Sequence, residues 1–156
     1  MNNLPFGFER PEDSPGFLLW QTTMLWQRQI KKALEKHNIS HAQFVIMATL
    51  IWAGAHNFDT TQIFICRLTK LDKMTVSKSL KKLVEFGYVN RAEHEKDTRA
   101  KSISLSKHGE EMVRILVPII EGIDKKFFSK CNSSEQKQLN SFFKKLSKSE
   151  DDIAHL

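Results

Sequence analysis

The chain has few of the residues and segments that would mark a secreted, disulfide-bonded or membrane-spanning protein. Two cysteines among 156 residues cannot build a disulfide framework. The sequence has no run of 18 apolar residues that could span a membrane, and its first residues lack the basic and apolar regions of a secretory signal. We therefore expect a soluble protein of a reducing cytoplasm, with no membrane partner.

Sequence patterns of catalysis and metal binding are also missing. There is no glycine-rich phosphate loop, no nucleophile elbow and no pair of carboxylates at a catalytic spacing. His37 and His41 are four residues apart, but Asn38 and Ser40 interrupt the helix that would bring them together. Cys66 fits a small buried apolar residue of a short helix. We expect no enzymatic activity, no metal and no cofactor.

Positive charge, in contrast, is concentrated in one segment. Residues 67–107 carry eleven lysines and arginines against five acidic residues, and this excess equals the whole net charge of +6. Such a concentration is typical of a surface that meets phosphate groups, although a solvated basic face would give the same count.

Structural signals within this segment follow the order helix, turn, helix, hairpin. A short helix is predicted over 61–69, and Asp72 is a suitable N-cap for a second helix over 73–86. Two short strands, 88–92 and 101–105, then flank a polar and charged loop. This order predicts a helix-turn-helix with a two-stranded wing.

The helix over 73–86 has a narrow apolar seam. At 100° per residue, Leu80 and Leu83 lie within about 40° of Val76. The rest of its surface suits the major groove of B-DNA, with lysines for phosphates and short side chains for base edges, although an ordinary amphipathic surface helix has a similar pattern. The side chains predicted to contact DNA here are Lys73, Met74, Thr75, Ser77, Lys78, Lys81 and Lys82.

The loop between the strands is predicted to be the tip of the wing. Arg99 is the candidate for insertion into a narrow A·T-rich minor groove, with Lys96 and Lys101 beside it. Asp97 is poorly placed to approach phosphate. It is predicted to brace the wing by pairing with an arginine, either Arg91 or Arg99.

Four segments resemble the MarR family of winged helix-turn-helix transcription regulators. They are Leu71-Asp72-Lys73-Met74-Thr75-Val76-Ser77-Lys78, Phe86-Gly87-Tyr88-Val89-Asn90-Arg91, Asp97-Thr98-Arg99 and Leu105-Ser106-Lys107-His108-Gly109. Members often carry a second arginine where Thr98 stands here. The resemblance implies a homodimer built from N- and C-terminal helices, a palindromic DNA operator and, in many members, loss of DNA affinity when a small phenolic or lipophilic ligand binds.

We therefore expect a mainly α fold with a small β-hairpin wing, in which a winged helix-turn-helix is combined with N- and C-terminal dimerisation helices. The predicted parts are an extended N-terminal arm (1–15), one domain (16–148) with its winged helix-turn-helix (about 60–109) and dimerisation helices (about 16–37 and 107–148), and a flexible tail (149–156).

Aromatic and aliphatic side chains near both ends of the chain exceed what two terminal segments of a monomer normally shield. A self-complementary interface hides such a surface most simply. The residues predicted at this interface are Phe6, Phe8, Phe17, Phe127, Phe128, Leu139, Phe142, Phe143 and Leu146.

The first two helices also carry side chains suited to a small aromatic or lipophilic acid. Aromatic walls would hold its body and Arg28 could pair with its anionic group, although the same aromatic residues could simply form core. The predicted pocket residues are Trp20, Met24, Trp26, Arg28, Trp52 and His56.

The sequence thus predicts a homodimeric, sequence-specific DNA-binding regulator, in the form of a repressor released by a small ligand. Two alternatives remain open: a winged helix that serves as a protein–protein adaptor, and a DNA-binding regulator without an effector. Salt-sensitive binding to duplex DNA distinguishes the adaptor from the other two.

Overall fold

Capping side chains set where the helices begin. Ser40 accepts a hydrogen bond from the Gln43 amide at 3.1 Å while the Gln43 side chain accepts one from the Ser40 amide at 2.9 Å. Asn132 and Glu135 form the same reciprocal capping box at the last helix. These bonds satisfy amides that the first helical turn leaves without partners. The cap of the last helix is therefore Asn132, directly before two serines.

The computed structural model describes residues 4–93 and 101–148. They form six helices and one hairpin, which confirms the predicted mainly α winged-helix fold. A 3-10 helix, Pro11–Asp13, precedes the first α-helix. The elements are α1 (Pro15–Glu35), α2 (His41–Ala55), α3 (Gln62–Thr69), α4 (Lys73–Glu85), β1 (Val89–Glu93), β2 (Lys101–Leu105), α5 (Lys107–Phe128) and α6 (Ser133–Ser147).

The N-terminal arm is less extended than the sequence suggested. The 3-10 helix lies within it, where the Arg10 side chain donates to the Asp13 carboxylate at 3.3 and 3.4 Å. Ser14 then caps α1 by accepting from the Phe17 amide, and Pro15 occupies the first helical position. Proline is favoured there because its fixed φ suits a helix and its missing N–H is not needed.

The hairpin is antiparallel, with Val89 opposite Leu105 and Glu93 opposite Lys101. Its inward side chains, Val89 and Ile103, are buried. Gly87, at φ +73°, makes the left-handed turn from α4 into β1, a conformation that glycine adopts without a steric penalty. The wing therefore follows α4 almost directly.

The chain divides into two units, one ending at Glu121 and the other beginning at Gly122, so that α5 contributes to both. The core of the first unit draws on every element from α1 to α5. Its fully buried side chains include Ile30, Leu34, Ile46, Met47, Ile65, Leu80, Leu83, Ile103, Val113 and Leu116. No helix in the described part of the chain is both long enough and apolar enough to cross a bilayer.

Candidate nucleic-acid interface

The helix α4 has the seam that its sequence predicts. Val76, Leu80 and Leu83 are completely buried. Lys78 and Lys81 lie on the other side and are exposed, as are Lys73 and Ser77. Met74 is 66% exposed at the N-terminal end of the helix. One side of α4 is therefore anchored in the core, and the other presents positive charge and short side chains to solvent.

The first turn of α4 is held by Asp72 and Thr75. The Asp72 carboxylate accepts from the Thr75 amide at 2.8 Å and from the Thr75 hydroxyl at 2.6 Å. The hydroxyl bond, followed by the amide bond, lowers the pKa of Asp72 below its ordinary value. The hydroxyl proton of Thr75 is thereby engaged, and only its oxygen remains as an acceptor towards a base edge. Ser77 has the more accessible hydroxyl of the two.

The turn between α3 and α4 depends on a left-handed residue. Lys70 has a φ of 61°, and its amide donates to the carbonyl of Cys66 at 2.9 Å. The Thr69 hydroxyl donates to the Ile65 carbonyl at 2.7 Å and accepts from the Leu71 amide at 3.2 Å. Local hydrogen bonds thus fix the end of α3 and the entry into α4.

The wing is anchored to the segment before α3. The Ile103 amide donates to the Thr60 carbonyl at 2.8 Å, and the Thr60 hydroxyl donates back to the Ile103 carbonyl. Thr60 is buried. This reciprocal pairing joins residues 43 positions apart, which is why sequence patterns gave no sign of it.

The wing is also tied to the start of α5. Ser106 donates its amide to the Tyr88 carbonyl at 2.9 Å and its hydroxyl to the Gly87 carbonyl at 2.6 Å. The same hydroxyl oxygen accepts from the Gly109 amide at 3.0 Å, as an N-terminal cap does. A Cβ at Gly109 would collide with the Tyr88 carbonyl oxygen. This packing explains why a serine and a glycine stand three residues apart here.

A glutamine that the sequence analysis missed links the wing to α4. Gln62 begins α3, where its side-chain oxygen accepts from Arg91 Nη2 at 3.3 Å. Its side-chain nitrogen donates to the carbonyl of Lys73 at 3.3 Å. One amide group therefore contacts both β1 and the first residue of the candidate recognition helix.

The tip of the wing lies outside the described residues. Lys96, Asp97 and Arg99 fall in the gap at 94–100, so their roles stay predictions. Lys101 is described only as part of the β2 backbone. Arg91, predicted as a partner of Asp97, contacts Gln62 within the described part of the chain.

Lys82 has different surroundings from the other lysines of α4. Its Nζ lies 2.9 Å from Glu85 Oε2. The hydrogen bond and charge of Lys82, and then the charge of Lys81, lower the pKa of Glu85. Lys82 also lines a cavity of about 840 Å³ with residues of α1 and α2. Lys82 therefore borders this cavity, in addition to its predicted contact with DNA.

The six side chains predicted to form a ligand pocket do not line that cavity together. Met24 and Arg28 do so. Trp52 and His56 belong instead to a ring stack with Phe58, with ring centroids 4.6 and 5.3 Å apart. The remaining two differ again, since Trp26 packs edge-on against the His41 ring and Trp20 is 62% exposed. The positions of these aromatic rings depend on tertiary packing that helical spacing alone cannot supply.

The side chains predicted to form the dimer interface are exposed or partly exposed. In the first unit these are Phe6, Phe8 and Phe17. In the second unit Phe142, Phe143 and Leu146 are exposed, while Phe127, Phe128 and Leu139 are half-buried. Neither unit covers this apolar surface by itself in the described residues, and the interface stays a prediction.

Comparisons with known proteins place this geometry in a family. The model of the ArnR1-like winged-helix domain matches residues 35–123. The uncharacterised HTH-type transcriptional regulator YdcH of Bacillus subtilis is 36% identical over 128 residues, which cover 82% of this chain and 87% of that protein.

Solved structures share the fold. A mutant MarR from E. coli complexed with operator DNA superposes with a TM-score of 0.76 at 19% identity, covering 90% of this chain and 99% of that one. BpsR of Bordetella bronchiseptica, whose DNA binding is regulated by 6-hydroxynicotinic acid, gives a TM-score of 0.82 at 20% identity and covers 94% and 100% of the two chains. Together with the matching helix-turn-helix and wing, these comparisons show that the chain belongs to the MarR family of winged helix-turn-helix, DNA-binding transcriptional regulators.

Proposed function

We propose that this chain is a homodimeric transcriptional repressor of the cytoplasm that binds a palindromic operator and is released by a small lipophilic or phenolic ligand. The exposed lysines of α4, opposite its buried seam, carry this proposal. A helix anchored on one side and cationic on the other, held beside a hairpin, has the form that enters a major groove.

The DNA contacts we propose combine this helix with the wing. Lysines contribute mainly phosphate contacts, whereas short side chains near the start of α4 approach base edges and the wing arginine enters the minor groove. The contacting residues are Lys73, Met74, Thr75, Ser77, Lys78, Lys81, Lys82, Lys96, Arg99 and Lys101.

A dimer follows from the exposed apolar side chains near both ends of the chain. Two copies related by a two-fold axis would present two copies of α4, and a palindromic operator mirrors that symmetry. The dimerisation helices we propose are about 16–37 and 107–148, on either side of a winged helix-turn-helix at about 60–109.

Release by a ligand is supported by the fold and by the cavity between α1, α2 and α4. BpsR, which shares the fold, has its DNA binding regulated by 6-hydroxynicotinic acid. A ligand alters DNA affinity only if it binds the DNA-competent and incompetent states with different affinity. A repressor that occupies its operator until such a ligand binds is the simplest use of this arrangement.

DNA binding through α4 is tested by removing two of its lysines. We expect Lys78→Ala with Lys81→Ala to weaken binding to duplex DNA. The slope of log affinity against log salt should fall by about 1 for each phosphate that is no longer neutralised. Stability should stay within about 0.5 kcal/mol of the parent protein, because both side chains are exposed.

A matched control removes two exposed lysines of α6, Lys144→Ala with Lys145→Ala. The net charge changes equally, but the salt slope should stay at the parent value. If both double variants lowered the slope alike, the effect would reflect net charge and not α4. If the parent protein showed no salt-sensitive binding to any duplex, the adaptor function would replace this proposal.

A further inference from the structure

Met74 lies at the centre of the exposed side of α4, close to the N-terminal end of this helix. At 100° per residue its direction is about 160° from that of Val76 in the buried seam. Lys78 and Lys81 follow it along the same side of the helix, and the Met74 side chain is 66% exposed. Base edges are approached by the N-terminal end of a recognition helix, which is where Met74 lies.

The first turn of α4 is held in place on both sides of Met74. The carbonyl of Lys73, directly before it, accepts from Gln62 Nε2 at 3.3 Å. The amide and the hydroxyl of Thr75, directly after it, both donate to the Asp72 carboxylate. The backbone of Met74 is therefore positioned before DNA binds, and such preorganisation lowers the ordering cost of binding.

The Met74 side chain has no hydrogen-bond donor, and its thioether sulfur is only a weak acceptor. In the major groove guanine and adenine present acceptors and cytosine presents an amino donor, which would lose water without gaining a partner against Met74. Thymine alone adds an apolar group, its C5-methyl. A flexible and polarisable thioether chain packs well on such a small apolar surface.

Thr75, the next residue, is also without a free donor for a purine. Its hydroxyl donates to Asp72 Oδ2 at 2.6 Å, so its proton is not available to an acceptor on DNA. Two consecutive side chains of the first turn, Met74 and Thr75, therefore disfavour a guanine or adenine edge that needs a donor.

We infer that Met74 determines part of the operator sequence by packing against the C5-methyl group of a thymine. The inference rests on the proposed function, because it requires α4 to occupy a major groove. Met74 contacts the methyl group, while Lys78 and Lys81, further along the same side, contact phosphates. Packing removes apolar surface of both groups from water, and this burial supplies the preference for thymine.

The test uses a duplex that the full-length parent protein retains from a random pool. Each thymine of this duplex is replaced in turn by deoxyuridine, which lacks only the methyl group. We expect at least one replacement to weaken binding to the parent protein by about three- to fivefold, the effect of one methyl group that is no longer buried. Met74→Ala should bind the thymine and deoxyuridine duplexes equally well.

Two further variants serve as controls. Met74→Leu keeps an apolar side chain and should keep a preference for thymine. Lys78→Ala removes a charge from the same side of α4, so it should weaken binding to both duplexes and leave the ratio of their affinities unchanged. Met74 and Lys78 are both exposed, and urea unfolding of all three variants should give midpoints close to that of the parent protein.

The outcomes separate this inference from the proposed function. If the parent protein tolerated deoxyuridine at every position, or if Met74→Ala kept the preference for thymine, the inference would be overturned while DNA binding through α4 remained. Loss of the preference in Lys78→Ala or Met74→Leu would show that it reflects docking of the whole helix and not an apolar contact of Met74. If the parent protein retained no duplex at all, the proposed function would be refuted, and this inference with it.

Discussion

At the residue scale, Gly109 is the glycine at which the surrounding backbone leaves least room for a side chain. Any side chain there would press against the Tyr88 carbonyl, and neither group can move without disturbing β1 or the start of α5. We expect Gly109→Ala to destabilise the protein by roughly 3 kcal/mol or more, because a clash with backbone relaxes poorly. Urea unfolding followed by circular dichroism measures this change.

Gly122 is the matched control in the same helix. A Cβ there meets nothing within 4 Å. Gly122→Ala should therefore stabilise the protein by about 0.5–1 kcal/mol, the usual advantage of alanine over glycine inside a helix. Equal effects of the two substitutions would show that helix propensity, and not the contact with Tyr88, decides the outcome.

Asp72 makes the stability of α4 depend on pH. Because its pKa is lowered in the folded protein, first by the Thr75 hydroxyl, the cap contributes stability above the unfolded pKa of about 3.9. That contribution is lost as the pH falls through the lower folded pKa. We expect Asp72→Ala to lower the urea midpoint at pH 7, and this difference from the parent to narrow below about pH 4.

The companion substitution is Thr75→Val, which removes the hydroxyl donor but keeps the amide that also bonds to Asp72. Its urea midpoint at pH 7 should lie between those of the parent and of Asp72→Ala. If the difference in urea midpoint between the parent protein and Asp72→Ala stayed constant down to pH 3, the charge of the Asp72 carboxylate would have no part in the cap.

At the scale of the elements, the side chain of Gln62 in α3 is hydrogen-bonded to both α4 and the wing. We expect Gln62→Ala and Arg91→Ala each to weaken operator binding, since each frees the wing from α4. The double variant should lose less DNA-binding free energy than the sum of the losses in the two single variants. The difference, which is the coupling between the two side chains, should be about 0.5–3 kcal/mol. Titrations of one operator with all four proteins complete this cycle.

Strictly additive losses in that cycle would show that Arg91 acts independently of Gln62, for example as a direct phosphate contact. Urea unfolding of the same proteins separates positioning from stability. A positioning role predicts coupling in DNA affinity with little change in the urea midpoints, because both side chains lie near the surface.

Most element boundaries were predictable because their signals are local. Ser40, Asp72 and Gly87 act on amides and turns within a few residues of themselves, and Asp72 caps α4 as the sequence predicted. The cap of α6 is harder to place, because Asn132, Ser133 and Ser134 are three consecutive polar residues that all suit a cap. The three-residue spacing of Asn132 and Glu135 resolves them, because it permits the reciprocal capping box that the structure shows.

The site was predictable where it lies along one helix and not where it is assembled across elements. The seam of α4 follows from its period, and burial of Val76, Leu80 and Leu83 confirms it. Thr60 and Gln62 act through partners 43 and 29 residues away, which no periodic pattern reveals. The separation of Trp52 from Met24 likewise depends on how α1 and α2 pack.

At the scale of the whole molecule, the exposed apolar side chains of α6 predict self-association. Phe142 and Leu146 are 60% and 79% exposed, so the fold of one chain does not need them. We expect a dimer by light scattering at micromolar concentration, and a folded monomer for Phe142→Asp with Leu146→Asp, because burying two carboxylates in an apolar interface is costly. Deletion of residues 133–156 should likewise leave a monomer or an aggregate.

The control for this prediction places the same two charges on the other side of α6, as Ser134→Asp with Ser141→Asp, two exposed serines away from its apolar side. This variant should stay dimeric. A parent protein that is monomeric and yet binds the operator fully would contradict the dimer, and dissociation of both variants would show that charge on α6, and not its apolar side, controls association.

The pairing of Thr60 with β2 also protects the protein against aggregation through the outer edge of that strand. A strand with unpaired amides and carbonyls along its outer side is a template onto which a strand from another chain can add. Thr60 occupies both hydrogen-bonding groups of Ile103, in the middle of β2, with its own carbonyl and hydroxyl. The threonine that anchors the wing thus also blocks the centre of that strand edge against aggregation.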